Sequence, residues 1–144
     1  MSYATPQDII NRYPNRDLVQ LTNEDPTVTT INTASLQQAL DDASAEIDGY
    51  LAGRFTLPLT EVPEVLSRLV CDVAIYRLQS LRPVHDLADA RLRYDDAIAM
   101  LAKVASGAMT LGIGAEGHET QSAQDAEETS GSKRIFSRKR MRGF

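Results

Sequence analysis

The sequence predicts an all-α fold, a small helical bundle of three main antiparallel helices with one or two short N-terminal helices and an extended C-terminal arm. Apolar residues recur at spacings of three and four, and prolines and glycines separate these periodic stretches. The periodicity stops near residue 113, after which polar residues dominate. The 144 residues therefore divide into a helical domain, 1–113, a polar flexible strap, 114–132, and a basic-aromatic tail, 133–144.

Two short helices are predicted at the N-terminus. The first spans residues 6–13 and ends before a proline. Thr5 is a suitable N-cap, Pro6 occupies the first helical position, and Asp8 complements the positive end of the helix. The second, over residues 16–21, amounts to one or two turns and leads into a polar connection rich in Asn, Asp, Pro and Thr.

Three longer helices follow. The first begins at Ser35, because Ser35 and Gln38 have the spacing of a capping box. The second spans 63–81, and the third spans 86–106 with Gly107 as its C-terminal cap. The predicted apolar stripes of the three helices are Leu36, Leu40, Ala43, Ile47 and Tyr50; Val65, Leu66, Leu69, Val70, Val73, Ala74, Leu78 and Leu81; and Leu87, Ala90, Tyr94, Ala97, Ile98, Leu101, Val104 and Ala105.

The connection at 54–62 is apolar and extended, and Pro58 excludes a helix there. Its side chains Phe55, Leu57 and Leu59 would be exposed unless something covers them. We expect them to pack on the core of the same subunit, with a contact to a neighbouring subunit as the alternative. A second short extended segment is expected at 109–113, just before the strap begins.

Charge is segregated along the chain. Residues 133–144 carry six cations and no anions, whereas the other 132 residues hold 20 Asp and Glu against 9 Lys and Arg, a balance of −11. A purely solvating extension, one alternative, would not need the apolar side chains that interrupt these cations. The tail is therefore predicted to bind a partner through Lys133, Arg134, Ile135, Phe136, Arg138, Lys139, Arg140, Arg142 and Phe144.

Composition excludes several classes of protein. The single cysteine, Cys71, rules out a disulfide framework within the chain. The first ten residues lack the basic and apolar regions of a signal peptide. No stretch approaches the roughly 18 consecutive apolar residues that a membrane span needs. We therefore expect a soluble cytoplasmic protein with no membrane partner.

Signals for catalysis are weak. The glycines of GIGAEG at 112–117 match a dinucleotide fingerprint, but a helix precedes them where a strand is required, so a flexible hinge is the better interpretation. His85, Asp86 and Asp89 form a poor metal set, and Asp86 is more suited to capping the last helix. Cys71 lies on the most apolar helix and is expected to be buried and unreactive. We predict no catalytic, cofactor-binding or metal-binding residues, and hence no enzyme.

Several stretches of the chain match a known family in order. They are YATPQDIINRY at 3–13, ASAEIDGYLAGRF at 43–55 with LPL at 57–59, residues 63–78 with RLVCD at 68–72, RYDDA at 93–97, and FSR at 136–138 with MRGF at 141–144. Through them the chain resembles the head-tail connector proteins, also called adaptor or head-completion proteins, of Mu-like phages and prophages. Residues 24–33 and 115–132 match least.

This resemblance implies a structural virion protein at the neck, made in the host cytoplasm and assembled as a ring of twelve copies beneath the portal. The C-terminal arm would bind the portal protein, and the protein would also meet a tail-side neck or tail-terminator protein. Genomic DNA would pass through the bore without specific binding, which an acidic body favours. The alternative is a small nucleic-acid-binding regulatory protein that uses the basic tail, which predicts salt-sensitive DNA affinity.

Overall fold

The computed structural model describes residues 2–82 and 86–113 of the chain. Within that part the protein is all-α and contains no strand, which confirms the predicted fold class. Its five helices are α1 (Pro6–Arg12), α2 (Asn15–Thr22), α3 (Thr33–Leu51), α4 (Glu64–Leu81) and α5 (Leu87–Ser106). The predicted strap, arm and tail, 114–144, lie outside the described residues.

The N-terminal helices form where the sequence predicts them. Asp8 of α1 accepts hydrogen bonds from both the backbone N–H and the hydroxyl of Thr5, each at 2.7 Å. The bond from the Thr5 backbone is the main reason that the pKa of Asp8 lies below its usual value. Pro14 separates α1 from α2 and occupies the N-cap position of α2. Ile9 and Leu18 then insert, fully buried, into the core.

The predicted N-cap of α3 is wrong by three residues. Asn32, not Ser35, is the N-cap, and its side-chain oxygen accepts hydrogen bonds from the backbone N–H groups of Ala34 at 3.1 Å and Ser35 at 3.3 Å. Because asparagine caps at least as well as serine, the earlier cap extends the helix through Thr33. Ser35 therefore lies inside the first turn.

Helices α4 and α5 agree closely with prediction. The carboxylate of Asp86 accepts a hydrogen bond from the backbone N–H of Ala88 at 3.0 Å, and Gly107 ends α5 with a positive φ of 82°. Two residues of the predicted stripes of α4 and α5 are exposed to solvent. Leu81 is 78% exposed because α4 ends there, and Ala105 is exposed near the end of α5.

The three long helices pack so that α4 runs antiparallel to α3. The start of α3 and the end of α4 line one cleft, to which Ala39 and Leu78 both contribute. The opposite ends are joined by the connection 52–63. The core that they enclose includes Leu36, Leu40, Ile47, Leu51, Leu66, Val70, Val73, Ile75, Leu101 and Val104, all at most 1% exposed. Burying each large apolar side chain contributes about 1.5–3 kcal/mol, and the sum of these contributions is the main favourable term in folding.

The connection 54–62 packs on the core of its own subunit. Phe55 is 6% and Leu59 is 7% exposed, and the half-buried Leu57 packs against the same core. The segment contains turns and bends, with a cis peptide bond between Leu57 and Pro58. The short extended segment expected at 109–113 is also a series of bends, held by the burial of Leu111.

Candidate functional site

The point where the chain leaves the helical domain is held by contacts between distant residues. Arg54 donates a hydrogen bond from Nη1 to the backbone oxygen of Val104 at 3.2 Å. A Cβ atom at Gly107 would lie only 2.6 Å from that same nitrogen. Glycine is therefore favoured at 107 by its positive φ, and a Cβ atom there would also displace the end of the Arg54 side chain. Leu111, 9% exposed, returns to the core just before the last described residue, Ile113.

A half-buried polar cluster joins the three long helices. Glu46 of α3 accepts a hydrogen bond from Nη2 of Arg77 of α4 at 2.6 Å and another from the hydroxyl of Tyr94 of α5 at 2.7 Å. The ring of Tyr94 stacks on that of Tyr76, with centroids 4.4 Å apart. The bond to Glu46, followed by burial, raises the pKa of Tyr94 to about 12. One carboxylate thus fixes the packing of two other helices.

Two tyrosines attach the N-terminal segment to the long helices. The Tyr3 hydroxyl donates a hydrogen bond to Asp48, and its backbone oxygen accepts one from the hydroxyl of Ser67 at 2.8 Å. The Tyr13 hydroxyl donates to Asp72 at 2.8 Å. Burial, then these carboxylates, raise the pKa of both phenols. The N-terminus is therefore bound to the domain at both ends of α1.

An open cleft of about 490 Å³ lies between the N-terminal helices and the helices α4 and α5. Its apolar walls include Leu18, Leu21 and Ile75, each at most 3% exposed. Gln79 also lines the cleft and is 8% exposed, and its Oε1 atom is buried without a hydrogen-bond partner among the described residues. The charged side chains around the cleft are Arg12, Asp17, Asp86, Asp89 and Arg93.

The described domain is acidic. Residues 2–82 and 86–113 contain 15 Asp and Glu against 9 Lys and Arg, a balance of −6. Four large apolar side chains of this part are exposed, and the most exposed are Leu81 at 78% and Leu92 at 61%. Both lie on the two helices that flank residues 83–85. The surface therefore offers carboxylates and isolated apolar side chains for contact.

The described residues offer little for catalysis. Cys71 is fully buried, and burial raises the pKa of its thiol to about 11, as expected for an unreactive core cysteine. No group of three or more metal-binding side chains occurs in the described part of the chain. His85 lies outside it, whereas Asp86 caps α5 and Asp89 pairs with Arg93 at 2.9 Å. None of the helices described is long and apolar enough to cross a membrane.

The predicted partner-binding residues of the tail, 133–144, lie outside the described residues, and their role stays a prediction. The described structure instead reveals features that the sequence analysis missed, namely the contact of Arg54 with α5 and the buried Gln79. A glutamine between the apolar residues Leu78 and Leu81 was the one available signal for the second.

Comparisons with known proteins agree with the matching stretches. The family described as "Bacteriophage Mu, Gp36" matches residues 3–129. The "Mu-like prophage FluMu protein gp36" of Haemophilus influenzae is 39% identical over 143 residues, covering 99% of this chain and 97% of the relative. "Gene product J" of Escherichia phage Mu is 36% identical over 144 residues, covering 100% and 99%. The chain therefore belongs to the Mu gp36 family of phage and prophage proteins.

Proposed function

We propose that this protein is a ring-forming head-tail connector, or adaptor, of a Mu-like phage. In this role it has no catalytic activity and joins the capsid to the tail at the neck of the virion. Its C-terminal tail binds the portal protein, its other side meets a tail-side neck or tail-terminator protein, and the genome passes through the bore. The observation that carries the proposal is membership of the Mu gp36 family over almost the whole chain.

The charge distribution supports this function. The described domain has a balance of −6, whereas residues 133–144 carry six positive charges. A ring of acidic domains repels phosphate, so DNA can pass through it without binding. The cationic tail has the opposite property and is attracted to acidic surfaces of a partner protein. One chain thus combines an acidic surface that repels nucleic acid with a cationic segment that is attracted to an acidic partner.

The structure of the domain suits the role of a ring subunit. The N-terminal segment, the three long helices and the exit of the chain are tied together by contacts between residues distant in sequence. Such a body is preorganised, so little conformational freedom is lost when copies associate. A weak tail contact then becomes strong when it is repeated around a ring, because each further contact is intramolecular.

The tail has a short apolar element suited to recognition. Ile135 and Phe136 lie between cations at Arg134 and Arg138. An extended segment of this kind can add to the edge of a partner's sheet, where backbone hydrogen bonds provide affinity and side-chain pockets provide specificity. Phe136 is therefore the residue we expect to contribute most per side chain.

The test is co-purification of the chain with the portal protein of the same phage. Deletion of residues 133–144 should abolish binding while the far-ultraviolet circular dichroism stays helical, because the core of the described domain lies between Tyr3 and Leu111. Phe136→Ala should weaken binding by about tenfold or more, the usual range for an anchoring aromatic residue. Ser137→Ala, in the same segment, is the matched control and should bind normally. Full binding by the deletion variant would refute the proposed portal contact.

A further inference from the structure

The outward face of α5 is largely apolar, although the outer face of a surface helix normally carries charged and polar residues. Six exposed residues recur along it at spacings of three and four, which places them on one side of the helix: Ala88, Leu92, Asp95, Ala99, Ala102 and Ser106. Only Asp95 among them is charged, and Leu92 is 61% exposed. The opposite side of α5 already packs on the core through Ala97, Leu101 and Val104. A helix with apolar residues on both sides is suited to burial on both sides.

The outward face of α5 allows a second helix to approach closely. Ala99 and Ala102 present only methyl groups, so two helix axes can come to about 8 Å, the short end of the usual range. Leu92 lies on the same face and is one of the two most exposed large apolar side chains in the described part of the chain. Burial of this leucine by a second helix would remove apolar surface from water, which favours association.

Two charges at one edge of this face indicate what the second helix is. Asp96 and Lys103 are exposed, and neither side chain forms an ion pair with another described residue. They are seven positions apart, so they lie along the same edge of α5 but are separated by about 10 Å along its axis, too far to pair with each other. A two-fold axis that makes two copies of α5 antiparallel brings the same edges together and pairs each aspartate with the other copy's lysine. This self-complementary pattern favours a second copy of the chain over an unrelated partner.

We propose that the outward face of α5 binds the same face of a second copy of the chain, with the two helices antiparallel, in the free protein. Pairing of Asp96 with Lys103 centres the contact between residues 99 and 100, so that Ala99 lies against Ala99 of the second copy. Leu92 then packs beside Ser106 of the second copy. An isologous contact closes after two copies, so it differs from the heterologous contacts that build a ring. The proposal goes beyond the connector function and does not depend on it.

The size of the face predicts a weak and reversible dimer. The 20 residues of α5 form a helix about 30 Å long. A contact along it that is about 10 Å wide buries roughly 300 Å² per copy. Stable interfaces bury about 800 Å² per copy, so we expect a Kd of about 0.1 mM or weaker. A test must therefore trap the contact covalently.

Disulfide trapping in the full-length chain can detect this dimer, because the native thiol of Cys71 is fully buried. Under mild oxidation, Ala99→Cys should form a covalent dimer at least about tenfold faster than Ala45→Cys, since the two-fold axis places only the first thiol next to its own copy. Ala45 is a matched control, because it is also an exposed alanine inside a long helix, α3. The unchanged protein should form no covalent dimer.

Charge reversal tests the antiparallel pairing. In the Ala99→Cys background, Asp96→Lys should slow dimer formation by about tenfold, because both ionic contacts become repulsive. Adding Lys103→Asp to the same chain should restore the rate, since opposite charges face each other again. Leu92→Ser should also slow dimer formation, whereas Leu81→Ser should not, because Leu81 is similarly exposed but lies outside this face.

Three results would overturn the proposal: a rate for Ala99→Cys no higher than for Ala45→Cys, a double charge reversal that stays slow, or equal effects of the two leucine substitutions. An Ala99→Cys thiol that resists both oxidation and alkylation in the native chain would show that something else covers the face, and would overturn it as well. Circular dichroism of every variant should stay helical, because all the substituted side chains are exposed. Portal co-purification is a separate readout, so failure of one proposal leaves the other standing.

Discussion

The most sharply defined substitution is Gly107→Ala at the end of α5. It should destabilise the protein in two ways, through backbone strain and through displacement of the Arg54 side chain. An alanine at a φ of +82° is strained by about 1–2 kcal/mol relative to glycine. Its Cβ would also lie 2.6 Å from Nη1 of Arg54, so the guanidinium must shift, and we expect this to break its hydrogen bond to Val104, worth about 0.5–1.5 kcal/mol. The free energy of unfolding should therefore fall by about 1.5–3.5 kcal/mol.

Two other glycines serve as matched controls. Gly112 has a φ of +79°, but a Cβ atom at this position would have no neighbouring atom within 4 Å, so Gly112→Ala should cost only the backbone strain, about 1–2 kcal/mol. Gly49 lies inside α3 with ordinary φ and open space, so Gly49→Ala should stabilise the protein by about 0.5–1 kcal/mol. Gly107→Ala thus incurs both backbone strain and the clash with Arg54, Gly112→Ala incurs only the strain, and Gly49→Ala incurs neither.

Urea unfolding followed by circular dichroism measures these differences. The expected loss for Gly107→Ala corresponds to a fall in Tm of about 10 °C for a domain of this size. In an Arg54→Ala background the same substitution should cost no more than Gly112→Ala, because the guanidinium is absent. Equal losses for Gly107→Ala and Gly112→Ala in the unchanged protein would refute the role of Arg54. A loss below about 0.5 kcal/mol at Gly107 would refute the reasoning on backbone strain.

Two further predictions concern titratable groups. The hydrogen bond to Glu46 raises the pKa of Tyr94 to about 12, so its stabilising effect is complete below the ordinary tyrosine pKa of about 10 and is lost as the pH rises toward 12. Tyr94→Phe should therefore reduce the decline in unfolding free energy between about pH 10 and pH 12. If urea unfolding at several pH values shows the same decline in the variant as in the unchanged protein, the prediction is wrong. Burial raises the pKa of Cys71 to about 11, so iodoacetamide at about pH 8 should label the thiol only in denaturant. Rapid labelling of the native protein would show that the thiol is accessible.

The helices could be predicted because each carries its own signals. An amphipathic helix must bury a stripe of its own sequence, and its caps lie next to its ends, so periodicity and local residue types define it. The prediction of α5 is the clearest case, with Asp86 and Gly107 at its two ends. The start of α3 was misplaced because two residues, Asn32 and Ser35, both have capping side chains. Only the folded backbone decides which of them accepts the hydrogen bonds.

The contacts between helices could not be predicted in the same way. Arg54 and Val104 are 50 positions apart, and Glu46 contacts residues 31 and 48 positions away. A single sequence contains no signal that pairs such residues, because many carboxylates and arginines have suitable chemistry. The exposure of Leu81 has a related cause, since a periodic pattern does not show how far the neighbouring helices extend alongside α4. Long-range geometry therefore decides which members of a predicted stripe are buried.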